Sequence, residues 1–342
     1  LHDGMEKLGA ASNELFLTAL YRTFNQMFGV EKVAVRLEGH GREECINAED
    51  ISRTVGWFTS AYPVILTSSG LSSLAEDVLC IKDNVKSIPK KGVAYGILKY
   101  MRNDIKFDRE PMISFNYLGG FDDDIEIGER RYGEFHDMDA ERDIAIDFNL
   151  MFVKNKFVIA ITVNKNLYEN PRINKIADIY MEKIEELIEV CDKLDMRLYS
   201  ATDFEGCELS TKEVRNIVGM YENVKDIYAL SDSQKGMLFH YTIDPESEDY
   251  FGQIHCPISG KIDAMLFEKA WREVVRNNPA LSTAYVYENL NETVQVVCDT
   301  EKSSSFSVYK KDSDMSDSDC IEMLLKKDRE NKFLLDKFPL SR

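Results

Sequence analysis

The side chains that could carry acid–base chemistry lie together in one short segment. Glu38, His40 and Arg42 alternate with glycines immediately after a predicted strand, Lys32–Leu37. Glycine lets the backbone turn tightly, and a loop at the end of a strand is a common place for reacting groups. A carboxylate acts as a base when burial raises its pKa, whereas a nearby arginine lowers that pKa. The segment therefore predicts either a proton-transfer site or a surface turn held by a salt bridge.

A resemblance to a known family favours the proton-transfer site. Four segments occur in the order and form of the motifs of epimerization domains of nonribosomal peptide synthetases, and the first matches Glu-Gly-His-Gly-Arg-Glu without a gap. These segments are Leu37–Glu44, Thr54–Val64, Gly92–Tyr100 and Phe115–Gly120, with departures from the family pattern at Ala94, Lys99 and Gly120. Residues 1–200 thus resemble the carboxyl-terminal lobe of such a domain.

The resemblance implies roles for five residues. Glu38 matches the family's proton-transferring carboxylate, while His40 and Arg42 match positions that bind or position the substrate. Asn116 and Tyr117 are implied active-site residues that could hold a thioester carbonyl as negative charge develops on its oxygen. Without the resemblance, Tyr117 would be predicted to pack in the core. The implied substrate is an aminoacyl or peptidyl thioester on the phosphopantetheine arm of a carrier protein, and no directly bound cofactor or metal is expected.

The second half of the chain resembles the beginning of a condensation domain, which forms peptide bonds. Asp226–His240 matches the opening motif of that family, with Ala229 and Asp232 in place of two prolines. Asn278–Thr283 and Phe333–Arg342 resemble segments that follow it in the family. The chain is therefore expected to run from one domain of a synthetase into the next and to work with the peptidyl carrier domains of that synthetase.

The resemblance also implies the fold. We expect an α/β fold of chloramphenicol-acetyltransferase-like lobes, in which helices flank mixed sheets, with the chain truncated at both ends of this pair of domains. The predicted parts are an epimerization lobe at 1–200, a linker at 201–226, and the start of a condensation lobe at 227–342. Within the linker, Ser210 is predicted to cap a short helix, Thr211–Tyr221.

Both kinds of domain use a His-His-x-x-x-Asp-Gly motif, which this chain lacks. Its five histidines are His2, His40, His136, His240 and His255, and no two are adjacent. We therefore expect the chain alone to be inactive, and a non-catalytic carrier-docking or interaction module stays an alternative. The two lobes are expected to pack together either within one chain or between two chains in a lobe-swapped dimer. His240 is predicted to be a partly buried, structural residue at a helix end.

Hydrophobic periodicity predicts the elements that position these residues. Helices are predicted at Ser12–Phe28, Leu71–Ile88, Gly92–Met101, Ile173–Leu194, Ser231–Tyr241, Ala264–Asn277 and Ser316–Lys332. Strands are predicted at Lys32–Leu37, Ile113–Leu118, Ile144–Phe152, Lys156–Val163, Tyr250–Ser259, Leu281–Tyr287 and Thr293–Cys298. The apolar side of the predicted helix Ala264–Asn277 is expected to pack against a core. It carries Phe267, Ala270, Trp271 and Val274. Pro63 is predicted at a strand edge or a turn.

The composition argues against several classes of partner. A net charge of −18 opposes binding to nucleic acids and to anionic membranes. The longest nearly apolar run, Phe157–Val163, is too short to span a bilayer. Seven widely spaced cysteines without a Cys-x-x-Cys pair predict a reducing, cytoplasmic compartment. The acidic run Asp122–Asp124, with Glu126 and Glu129, predicts a solvated loop rather than a calcium site.

Overall fold

The computed structural model of the chain describes residues 2–43, 50–70, 73–102, 104–106, 109–121, 143–154, 156–163, 170–299, 305–337 and 340–342. It divides into two compact units, Leu1–Thr202 and Asp203–Arg342. The predicted acidic loop at 122–129, together with Cys45 and His136, lies outside the described residues. Among the described helices, none combines the length and apolar character that crossing a bilayer requires.

The first unit contains five helices and five strands among its described residues. The helices are α1 (His2–Leu8), α2 (Ser12–Phe28), α3 (Leu74–Lys86), α4 (Val93–Gly96) and α5 (Asn170–Lys193). The strands are β1 (Lys32–Gly39), β2 (Ser60–Thr67), β3 (Ile113–Phe121), β4 (Ile146–Val153) and β5 (Lys156–Val163). A 3₁₀ turn at Pro89–Gly92 leads into α4, and a π-helical turn at Ile97–Met101 follows it. The predicted helix at Gly92–Met101 thus consists of an α-helical turn followed by a π-helical turn.

The five strands form one mixed sheet in the order β2-β1-β3-β4-β5. Strand β3 runs parallel to both β1 and β4, while β2 and β5 pair antiparallel with their neighbours. Pro63 lies within β2, opposite Arg36 of β1, so β2 is an edge strand that contains a proline. Proline is tolerated at an edge because the N–H that it lacks would face solvent. The prediction for Pro63 is therefore confirmed.

Helices α2, α3 and α5 share a hydrophobic core with one face of this sheet. The bounds of α2 coincide with the predicted helix. At its start the Glu14 carboxylate accepts the N–H of Ala11 at 2.8 Å, and Gly29 ends it with a left-handed φ of 65°. Strand β1 contributes alternate residues to the core, namely Val33, Val35 and Leu37. Because strand side chains alternate, the residues between them lie on the opposite face of the sheet.

A buried carboxylate ties α3 to α2 and to the segment that precedes α3. Asp77 is fully buried and forms an ion pair with Arg22. The same carboxylate accepts hydrogen bonds from the hydroxyl of Ser68 at 2.7 Å and from the N–H and hydroxyl of Ser69, both at 3.1 Å. The serines at 68–69 thus satisfy a buried charge, which explains why this polar cluster precedes an amphipathic helix.

The second unit is a three-stranded antiparallel sheet with helices, in the strand order β6-β8-β7. Its strands are β6 (Val224–Ala229), β7 (Thr283–Val286) and β8 (Val294–Cys298), and its helices are α6 (Thr211–Met220), α7 (Asp232–Ile243), α8 (Ala264–Asn277) and α9 (Asp317–Glu330). Residues 203–226, assigned from the sequence to a linker, belong to this unit. Ser210 caps α6, and the Glu213 carboxylate accepts the N–H of Asn291 at 2.7 Å, which ties α6 to the turn before β8.

Three expectations for the second unit are wrong. Residues 250–259 form no strand, because in the described part of the chain no other strand pairs with them, and Ile254 is almost fully exposed. On α8 only Val275 is buried, whereas Phe267 and Val274 are exposed, so the described residues cover the predicted core face only in part. His240 is exposed rather than partly buried, and its ring lies 5.9 Å from that of Tyr250.

Candidate active site

Glu38 lies near the end of β1 on the open face of the first-unit sheet, which is the face opposite α2, α3 and α5. Its side chain is exposed. The parallel register pairs Leu37 with Phe115, so the next residues along each strand, Glu38 and Asn116, are neighbours on the open face. The Asn116 amide donates a long hydrogen bond of 3.4 Å to Glu38 Oε2. The structure thus brings together two of the five predicted site residues.

A polar row that the sequence analysis missed continues from Asn116 across the open face. In β3 and β4 the in-register pairs are Ser114 with Asp147 and Asn116 with Asn149. The Ser114 hydroxyl donates to Asp147 Oδ1, and the Asn149 amide donates to Asp147 Oδ2 at 2.9 Å. The signal was present in the sequence, because Ile-Ser-Phe-Asn at 113–116 and Ile-Asp-Phe-Asn at 146–149 alternate polar and apolar residues in the same way.

Tyr117 lies on the other face of the sheet. Its ring packs edge-on against Phe16 of α2, with the ring centroids 5.1 Å apart, and it is half-buried at the margin of the core. Consecutive strand residues point to opposite faces, so Asn116 and Tyr117 are separated by the sheet. The position is the core packing expected of a tyrosine at this point of a strand, and the structure does not bring Tyr117 to Glu38.

His40 interacts with its own loop and not with Glu38. Its Nδ1 accepts the backbone N–H of Arg42 at 3.0 Å, and its Nε2 lies 3.0 Å from Glu43 Oε1. This pattern corresponds to a neutral imidazole that carries its proton on Nε2. Glu43 Oε2 lies 3.1 Å from the ammonium of Lys91, and only 12% of the Glu43 side chain is exposed. The salt bridge of this turn is therefore made by Glu43.

Arg42 joins the loop that follows Glu38 to the segment at 51–58, where the second motif begins. Its guanidinium donates to the carbonyl of Ile51 at 2.6 Å and to that of Gly56 at 3.3 Å. The same group lies over the ring of Phe58, 4.2 Å from its centroid. In the described residues Arg42 pairs with carbonyl groups and an aromatic face rather than with a carboxylate, so it holds the two loops together.

A cleft of about 540 Å³ is lined by sheet neighbours of Glu38, although Glu38 itself does not line it. Arg36 and Pro63 line it from the sheet, as does Ala61, which is the β2 partner of Glu38. Residues of the segment 93–101 line the opposite side, among them Tyr95, Ile97, Lys99, Tyr100 and Met101. The lining of this cleft is therefore partly aromatic.

Both cations that line this cleft already have carboxylate partners. Arg36 pairs with Asp143 at 2.6 Å, and this hydrogen bond lowers the pKa of the Asp143 carboxyl. Lys99 pairs with Glu110, whose hydrogen bond raises the pKa of the ammonium. The Lys99 ammonium also lies 4.8 Å from the centroid of the Tyr100 ring. Because each positive charge is compensated locally, the cleft is suited to a ligand that is largely uncharged.

Replacing Gly41 with alanine should destabilise the first unit by about 2 kcal/mol or more. Its φ is +67°, and an added Cβ would lie 1.6 Å from the carbonyl oxygen of Phe58. Gly29 is a matched control, because its φ is +65° but an added Cβ would meet no atom within 4 Å. The Gly29→Ala variant should lose about 1 kcal/mol, and urea unfolding of both variants measures the difference. Equal losses of unfolding free energy in the two variants would show that an added Cβ at position 41 does not clash with the Phe58 carbonyl.

In the second unit, the motif at 229–240 forms the start and middle of α7. Ser231 caps the helix, and the Gln234 amide donates to Gln295 Oε1 of β8 at 3.0 Å. A cavity of about 270 Å³ adjoins α7. Its lining is mainly aromatic and aliphatic and includes Met237, Leu238, Tyr241, Tyr250, Phe251, Tyr285 and Phe333. Part of the motif therefore anchors α7 on the sheet, and part lines this cavity.

Comparison with known proteins identifies the family. A family model described as Condensation domain matches residues 1–209 and again 224–342. The chain belongs to the condensation-domain family. Bacitracin synthase 3 of Bacillus licheniformis is 33% identical to it over 340 residues, which is 96% of this chain and 5% of that protein. Bacitracin synthase 1 of the same organism is 28% identical over an alignment of 351 residues, which covers 100% of this chain and 7% of that protein.

A solved structure extends the comparison to the fold. The epimerization domain from the third module of tyrocidine synthetase B matches this condensation-family chain with a TM-score of 0.51 and 32% identity. The match covers 55% of this chain and 44% of that one. The predictions of a nonribosomal peptide synthetase and of an α/β condensation-domain fold with mixed sheets are therefore confirmed. The chain spans only a small part of the synthetases that it resembles.

Proposed function

We propose that the first unit is the carboxyl-terminal lobe of an epimerization domain and that Glu38 transfers a proton at the Cα of a carrier-bound aminoacyl or peptidyl thioester. The observation that carries this proposal is the position of Glu38, exposed at a strand end, in contact with Asn116 and with sheet neighbours that line a partly aromatic cleft. The 32% identity to a solved epimerization domain supports it.

The chemistry follows from the acidity that a thioester gives to its α-carbon. When the Cα–H bond breaks, the proton goes to a base and the electron pair moves toward the thioester oxygen. Glu38 takes or returns this proton on one face of the substrate. The Asn116 amide, 3.4 Å from Glu38 Oε2, holds the carboxylate and is placed to donate to developing negative charge nearby. Inversion of configuration needs a second proton-transfer group on the opposite face.

We propose that this second group comes from outside the chain, since the sequence contains no paired-histidine motif. The chain on its own should then not epimerize a thioester, because one of the two proton transfers has no group to perform it. The second unit, with its opening motif on α7 and β6, is proposed to be the amino-terminal part of a condensation domain. The partners are the peptidyl carrier domains of the same synthetase. The cytoplasmic location and the lobe-swapped dimer stay predictions.

The test follows the Cα hydrogen in D₂O. The module that contains this chain is loaded with an L-aminoacyl or peptidyl thioester, and the product is released and analysed for chirality and mass. We expect a mixture of D and L products with deuterium at Cα from the module, and no D product when the 342-residue chain is given the same carrier-bound thioester. An undeuterated product that is only L would contradict the proposal and favour a carrier-docking module without chemistry.

A further inference from the structure

We propose that Lys91 is a positioning residue for the loop that follows Glu38 at the end of β1. Its ammonium holds Glu43, Glu43 holds His40, and the resulting clamp fixes residues 39–43 directly after the proton-transferring carboxylate. The catalytic consequence rests on the proposed function, whereas the clamp itself does not. The resemblance between sequences assigned no role to Lys91 or Glu43.

The Glu43 carboxylate lies in an environment that is mostly shielded from water. Its two oxygens have separate partners, His40 Nε2 at 3.0 Å and Lys91 Nζ at 3.1 Å. The Glu43 side chain is 12% exposed, although Lys91 itself is 74% exposed. Ion pairs between two exposed groups contribute little. Here the carboxylate is mostly removed from water, so the loss of one partner leaves a poorly compensated charge inside the loop.

The turn that presents Lys91 has a left-handed backbone. Lys90, Lys91 and Gly92 are consecutive residues with φ values of 50°, 50° and 76°. The left-handed region costs a non-glycine residue about 1 kcal/mol or more. Gly92 is required here, because an added Cβ would lie 2.2 Å from the ring of Tyr62. The fold therefore maintains two lysines in an unfavourable conformation, and the ion pair with Glu43 is a favourable contact that accompanies it.

The Lys91 turn also lies close to the strand end that carries Glu38. A Cβ built on Gly39 would lie 3.8 Å from the carbonyl oxygen of Lys91, so the turn lies against the residue that follows Glu38. From there the contacts run from Lys91 to Glu43, from Glu43 to His40, and from His40 Nδ1 to the N–H of Arg42. The loop after Glu38 is thus closed by the Glu43 side chain at one end and lies against the backbone of the Lys91 turn at the other. Removing Lys91 opens the clamp without altering Glu38, Asn116 or the sheet.

The experiment on the 342-residue chain measures the mobility of the loop. Lys91→Met removes the ammonium, Lys91→Arg retains a cation, and Lys90→Met is the matched control, because Lys90 is exposed and has no ion pair among the described residues. We expect backbone order parameters of residues 39–43 to fall from about 0.85 to below about 0.6 in Lys91→Met only. Unchanged order in Lys91→Met, or an equal fall in Lys90→Met, would overturn the clamp.

The second readout is catalysis by the whole module. In Lys91→Met, kcat for Cα hydrogen exchange should fall about tenfold with KM unchanged, because a misplaced carboxylate slows the proton transfer but not substrate binding. Lys91→Arg should restore most of the rate. If loop order falls but kcat does not, Lys91 is a structural residue and not a positioning residue. If the module shows no Cα exchange at all, the proposed function fails, and the order parameters still decide the clamp.

Discussion

In the Glu38→Gln variant, exchange of the thioester-activated Cα hydrogen should be slower by about 10²–10⁴-fold, the usual contribution of a general acid–base group. Glutamine preserves the shape of the side chain, and its carbonyl oxygen can accept the hydrogen bond that the Asn116 amide now donates to Glu38. It cannot take up a proton. The expected loss is therefore chemical, and loading of the thioester onto the carrier should be unaffected.

The measurement is deuterium incorporation at Cα by the module, per loaded carrier, under single-turnover conditions. Glu31→Gln is a suitable control, because Glu31 is an exposed glutamate immediately before β1. Its replacement removes the same negative charge as Glu38→Gln. Its rate should stay within about twofold of the wild type. A Glu38→Gln module that exchanges at a similar rate would show that another group performs the proton transfer.

Replacing Asp77 with alanine should lower the free energy of unfolding of the first unit by about 3–5 kcal/mol, the usual cost of removing one partner of a buried ion pair. Asp77 is fully buried, pairs with Arg22 and accepts hydrogen bonds from Ser68 and Ser69. Without it, the Arg22 charge is left without its carboxylate and three donors lose their acceptor. Because the Asp77 position itself is fully buried, losing these contacts has a cost.

Amide hydrogen exchange of α2 and α3 is the appropriate readout, since it reports on the first unit alone. Asp178→Ala is the matched control, because Asp178 is exposed on α5 and its replacement should change stability by less than about 0.5 kcal/mol. A loss below about 1 kcal/mol in Asp77→Ala would mean that the two serines and Arg22 find water or other partners in the variant.

Local patterns predicted most elements of the first unit, but helix α1 and strand β2 were not predicted. The helix Ser12–Phe28 was found because its apolar spacing and the glycine that stops it are encoded within the segment itself. The predicted strand at Tyr250–Ser259 failed because alternation alone does not supply a hydrogen-bonding neighbour. The prediction that the apolar face of α8 is buried failed for a related reason. Amphipathic spacing shows which residues are apolar but not how completely other elements cover them.

The candidate site was only partly accessible from the sequence. Motif resemblance named Glu38 and Asn116, and the parallel register of β1 and β3 brings them into contact. It also named Tyr117, which strand alternation places on the opposite face against Phe16. The link between Glu43 and Lys91 could not be predicted, because it depends on a left-handed turn 48 positions later in the chain. Long-range contacts of this kind are set by the fold and leave no local pattern.

The proline within β2 has a consequence for how a peptide can approach this sheet. An extended peptide could otherwise lengthen a sheet by hydrogen-bonding along its outermost strand. Pro63 interrupts the outward row of N–H donors on that strand, only two residues from the partner of Glu38. This feature disfavours annealing of the proposed peptidyl substrate to the margin as a sixth strand. In the proposed function, the substrate would then approach Glu38 across the broad side of the sheet, where the polar row lies.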